Sequence, residues 1–135
     1  AARLMLKRID SLLALRTSFA IETTLATKSY RNLVLKAKDL GYQVILLFFW
    51  LPNPGMAERR VATRVASGGH DIPLDVIHRR YWAGLQNLFD IFIPIVDFWS
   101  LYNNSDGIET IVENNRIIDK IVFTKIKAQC LNRKK

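Results

Sequence analysis

Residues 42–51, "YQVILLFFWL", restrict this chain more than any other stretch. From Val44 to Leu51 every residue is apolar, and the run closes on "PNPG". A strand with one wet face alternates apolar and polar residues, whereas an unbroken run reads as a strand covered on both faces. The expectation is a central strand of a parallel sheet flanked by helices. The run is too short to cross a bilayer as a helix, which takes about 20 residues. The other apolar stretch, "FDIFIPIVDFW", is interrupted by Asp90 and Asp97.

The flanking patterns fit that frame. Leu4, Ile9, Leu12 and Leu15 recur at helical spacing and predict a helix over residues 3–15. "TSFAIETT" is short and rich in β-formers, and predicts a strand ending near Thr23. "KSYRNLVLKAKDLGY" predicts a helix with Tyr30, Leu33, Ala37 and Leu40 on its apolar face and Gly41 as its stop. A further helix is expected over residues 55–66, ending at Gly68-Gly69. Another begins at Pro73, with Asp75 in its first turn and a core stripe of Leu74, Ile77, Tyr81, Leu85 and Leu88. "PIVDFWSLYN" predicts a strand with Pro94 at its start. Residues 108–133 read as a hairpin turning at Asn114-Asn115 and a basic helix. The 135 residues suffice for one domain with a hydrophobic core, and no repeat or linker divides them. Alternating helices and strands predict an α/β layered fold with a mainly parallel sheet.

Charge adds a chemical preference. The formal net charge is +8, which favours anionic partners. No lysine lies between Lys38 and Lys120, yet Arg59, Arg60, Arg64, Arg79 and Arg80 do. Arginine offers a planar fork that meets phosphate or carboxylate in two places. Arg60 and Arg64 share a helix face, where their mutual repulsion would be relieved by a shared anion. An ordinary solvated helix surface is the competing reading of all of them.

In α/β sheets ligands bind beyond the carboxyl ends of the strands. Here those ends are Glu22-Thr23-Thr24, Asn53 and Asn103-Asn104-Ser105, so Glu22, Thr23 and Asn103 join the arginines as candidate binding residues. His70 sits in a turn, and no spacing of His, Cys and Asp resembles a zinc site. Trp50, Trp82 and Trp99 are not interleaved with lysines, which argues against an RNA-stacking face. The single cysteine, Cys130, excludes an intramolecular disulfide and favours a reducing compartment. With no signal leader visible, the expected location is the cytoplasm, with no membrane association.

Two segments, "SFAIETTLATKSYRNLVLKAKDLGYQVILLFFWL" and "ERRVATRVASGGHDIPLDVIHRRYWAGLQNLF", resemble the zeta-toxin-like family of P-loop kinases. The resemblance runs from the first helix through "DFWSLYNNS" and is sharpest in "ETTLATKSY" and "RVASGGHDIPLDVIHRRY". It implies part of a three-layer P-loop NTPase fold and transfer of the ATP γ-phosphoryl group, with Mg2+, to a small molecule such as a UDP-amino sugar. It implies substrate-side roles for Glu22 and Thr23, and nucleotide contacts from Arg60, Arg64 and Asn103. Catalytic roles clamping the phosphates fall to Arg64 and to Arg79 or Arg80, within a lid over residues 59–81. An antitoxin-like protein or a second copy would be a partner. The chain contains no G-x-x-x-x-G-K-[ST] loop. It opens in helical periodicity without an initiator methionine, and the expectation is of upstream residues carrying that loop. Two other readings stay open: a non-catalytic oligomeric or protein-binding remnant, and, more weakly, a basic nucleic-acid binder.

Overall fold

The computed structural model describes residues 2–134 as a mixed α/β fold built on a four-stranded sheet. The elements are α1 (Ala2–Ala14), α2 (Tyr30–Asp39), β1 (Ile45–Trp50), α3 (Pro54–Ala66) and α4 (Leu74–Asn87). After a π-helical turn, Leu88–Phe92, come β2 (Phe98–Asn103), β3 (Glu109–Glu113), β4 (Arg116–Ile117) and α5 (Lys120–Lys134).

The strand order is β1-β2-β3-β4. Only β1 and β2 run parallel, with Ile45 opposite Phe98 and Trp50 opposite Asn103. The other two pairs are antiparallel, so the mainly parallel sheet expected from sequence is corrected to a mixed one. Asp97 pins the start of the parallel pair: its carboxylate accepts from Val44 N at 2.7 Å and its amide donates to Val44 O at 2.9 Å. At the far end Asn104 N donates to Trp50 O at 2.9 Å.

β1 is an edge strand, not a central one. Its burial alternates: Leu46, Phe48 and Trp50 face the core, while Ile45, Leu47 and Phe49 are 57%, 54% and 48% exposed. The register carries Phe98 and Tyr102 onto the same bare side, where the Phe49 and Tyr102 rings stack at 5.3 Å. The main core lies on the opposite side, where residues of α4, the π-helical turn and α5 meet Trp50, Trp99, Leu101 and Val112. On the bare side Ile45, Leu47 and Phe49 carry no covering helix among the described residues. The unbroken apolar run was a sound sign of a strand, but no second helical layer covers its outer face.

"TSFAIETT" forms no strand. Residues 17–24 have no regular secondary structure and join no sheet ladder. Phe19 and Ile21 pack instead with Ile9 and Leu13 of α1 and Ala37 of α2, a second small core. Tyr42 Oη closes it by donating to Thr17 O and Leu12 O, at 2.9 and 3.1 Å. β-propensity describes a residue's fit to a pleated surface, and here no neighbouring strand provides one.

Helix-level expectations fare better in their positions than in their buried faces. α1 buries Ile9 and Leu13, whereas Leu4 and Leu15 are exposed. Ile77 and Leu85 of α4 and Leu88 of the turn after it enter the core, but Leu74 does not. The strand after Pro94 starts only at Phe98, because the π-helical turn prolongs α4. The turn at Asn114-Asn115 is present, with both residues at positive φ (45° and 70°), as a tight hairpin of this twist requires. Asn115 also extends the ladder with its side chain, accepting from Trp99 N and donating to Asp97 O.

Gly68 and Gly69 form the helix stop expected from sequence. Gly69 N donates to Arg64 O and Gly68 N to Val65 O, the paired bonds that close a helix with a left-handed residue. Gly68 has φ +95°, and a Cβ on Gly69 would lie 2.9 Å from Arg64 O.

Candidate functional site

The carboxyl ends of β1 and β2 lie side by side because these strands are parallel and in register. Asn53 caps α3 there: its Oδ1 accepts from Met56 N at 3.1 Å, with Pro54 following as the first helical residue. The positive end of the α3 dipole thus opens onto this edge. Arg60, on the second turn of α3, donates from Nη2 to Asn104 O. Arg59 folds back over the first turn, with Nη1 3.6 Å from where a Cβ on Gly55 would stand. Asn103 Oδ1 accepts from Ser105 N at 3.0 Å, shaping the loop after β2.

Other elements hold this edge from beneath. Tyr81 Oη donates to Leu51 O at 2.6 Å, tying α4 to the end of β1. Burial pushes the Tyr81 phenol up to about 12. The Trp50 indole beside it pulls the other way, although its N–H makes no hydrogen bond of good geometry among the described residues. Gln129 of α5 reaches Pro52 O at 3.3 Å. His78 and Glu58 bind α4 to α3 through a short contact, which is an ion pair when His78 is protonated.

The residues singled out from sequence divide into three places. Arg60 and Asn103 meet at the strand ends, and Arg64 stands one turn beyond Arg60 on the same helix face, exposed. Glu22 and Thr23 lie in the irregular segment, Glu22 exposed and Thr23 Oγ1 accepting from Leu25 N at 3.1 Å. That segment still comes near the edge. Thr24 O rests against Gly84, three residues along α4 from Tyr81, or about 4.5 Å of helix rise. Arg79 lies elsewhere, lining a recess with Trp82 and Arg133. Arg80 is exposed on α4 without a described partner.

Sequence reasoning passed over the fold-back of Arg59, which a local i, i+4 relation with Gly55 could have suggested. It also passed over the recess of Arg79, which depends on α5 and has no local signal. Among the described residues no group of three His, Cys, Asp or Glu side chains gathers to hold a metal, and no helix is long and apolar enough to cross a membrane. The edge offers guanidinium groups, helix amides and backbone carbonyls, a set suited to gripping an anion rather than to attacking a substrate as a nucleophile. Comparison with family models, with curated proteins and with solved structures returns no match.

Proposed function

We propose that this chain is the lid and acceptor-side portion of a zeta-toxin-like phosphotransferase that takes the γ-phosphoryl group from ATP. The observation that carries the reading is the parallel β1–β2 pair, whose carboxyl ends meet the N-terminus of α3 with Arg60 anchored between them. Arg59, Arg60 and the first amides of α3 would meet the phosphates, and Arg64 extends the same face. Mg2+ would come with the nucleotide's phosphates, since it is commonly held by them and by few protein ligands. Positive groups placed there stabilise charge on a transferring phosphoryl group. With no G-x-x-x-x-G-K-[ST] loop in these residues, the measurable property is binding rather than turnover.

Titration of MgATP into the isotope-labelled chain should shift the amide resonances of Asn53, Gly55, Met56 and Asn104. Arg60→Ala should weaken that binding by about tenfold, the loss expected for one charge-assisted contact. No shift at this edge up to millimolar nucleotide would refute the reading.

A second reading, assembly with another copy, is favoured by the bare side of β1. Ile45, Leu47 and Phe49 stand exposed on an edge strand whose outer backbone groups make no ladder. Unpaired apolar edges of this kind tend to pair. Light scattering should then give a mass above that of one chain, falling to the monomer in Leu47→Lys; a monomeric parent chain would exclude it.

A further inference from the structure

α1 buries one narrow stripe, Ile9 and Leu13, against Phe19, Ile21 and α2. A second apolar stripe on the same helix is left bare. Leu4 is 70% and Leu15 73% exposed, and Leu12 between them is only partly buried. Leu15 follows the last residue of α1, but its amide still donates to Ser11 O at 3.1 Å and so continues the helical path. At about 100° per residue Leu4, Arg8, Leu12 and Leu15 fall within about 80° of one another, on a face about 16 Å long. Lys7 stands on the flank of this face, with Arg3 beyond it. Arg3, Lys7 and Arg8 are exposed and make no ion pair among the described residues. The acid of this stretch, Asp10, is paired with Lys36 at 3.6 Å.

Arg8 decides which occupant fits, because it stands in the middle of the leucine stripe. A partner helix packed along Leu4 and Leu15 would bury this unpaired guanidinium in its seam, which the loss of solvation opposes. A nucleic-acid backbone would meet the three cations but leave the leucines in water. An anionic lipid surface accommodates both. The leucines enter the acyl boundary, while the long arginine stem runs beside them and its head stays among the lipid phosphates. Basic residues beside a broad apolar face are the pattern of helices that lie in a membrane interface. Such a helix does not cross the bilayer, and none of the described helices is long and apolar enough to do so. We infer that α1 is a peripheral docking element for an anionic lipid surface, laid flat with Leu4, Leu12 and Leu15 toward the acyl chains. It shares no residue with the phosphate-binding edge or with the bare side of β1, so each can fail alone.

The test is co-sedimentation with vesicles of phosphatidylcholine alone and of phosphatidylcholine mixed with phosphatidylglycerol. The chain should bind the anionic vesicles and not the neutral ones, with an affinity that falls as salt rises. Arg8→Gln should weaken binding about fivefold, the factor for one cation at a charged membrane surface. A chain of net charge +8 adsorbs to anionic lipid to some extent through charge alone, so the leucines carry the decisive arm. Leu4→Gln with Leu15→Gln keeps the charge and the helix propensity, and both side chains are exposed, so the core is untouched. This pair should lower the affinity by about tenfold or more, as expected for two leucines that leave an apolar phase. No binding to anionic vesicles, equal binding to neutral ones, or equal binding by the leucine pair would overturn the inference. Light scattering without vesicles reads the other occupant: a mass above one chain that falls to the monomer in the leucine pair would assign the stripe to a second copy and overturn it as well.

Discussion

Gly84→Ala should destabilise the protein by about 3 kcal/mol, the upper part of the ordinary range for overpacking. A Cβ at this position would lie 2.2 Å from Thr24 O, and that atom is backbone, not the free end of a side chain. Neither side yields easily. α4 is fixed by Tyr81 on Leu51 O and by the buried Asn87, whose Nδ2 donates to Leu25 O at 2.7 Å. Leu25 is itself held at φ 59°, a left-handed conformation unusual for a bulky residue, with its side chain in the core. Urea denaturation should show a lower midpoint with an unchanged slope. Amide exchange should quicken first over residues 23–26, because the intruding methyl pushes that segment off the helix. A midpoint within about 0.5 kcal/mol of the parent, the range of a surface change, would show that the segment does not dock on α4.

Phe92→Ala should have the largest effect of any single truncation, about 3–5 kcal/mol. Its ring is 1% exposed at the end of the π-helical turn, in the cluster that holds Trp50, Trp99 and Leu101. A domain of this size is stable by only about 5–15 kcal/mol, so the loss should bring the melting transition close to working temperatures. Phe92→Leu, which keeps most of the volume, should cost less than about 1.5 kcal/mol. Equal destabilisation by alanine and leucine in thermal melts would mean that the ring's burial is not what the site supplies.

The same π-helical turn shows where sequence stops being informative. Leu85 and Leu88 enter the core as their helical spacing predicts, and Phe92, which that stripe did not include, is buried with them. Nothing local says that Ile93 N will reach back five residues to Leu88 O at 2.9 Å, delaying β2 to Phe98. The candidate site divides in the same way. That Arg60 and Arg64 share a face follows from helical geometry. That Arg60 ends on Asn104 O, 44 residues away, depends on β1 and β2 lying side by side in parallel. Arg79 and Arg80 are neighbours in sequence, but on a helix adjacent residues diverge by about 100°. Arg79 consequently borders α5 and leaves the strand ends to Arg60.

What the sequence determined by itself is what short-range physics controls. The apolar run became a strand, Pro54 and Asn53 started a helix, Gly68 and Gly69 ended it, and Asn114-Asn115 turned a hairpin. Each of these depends on backbone preferences and neighbours within a few residues. Only the tertiary structure decided that "VILLFFWL" lies at an edge with one face bare, that "TSFAIETT" packs on helices instead of pairing, and that Arg79 lines a recess with Arg133 of α5. Those outcomes depend on which surfaces are present to cover an apolar face. A strand's own residues carry the demand for burial but cannot specify the partner that meets it.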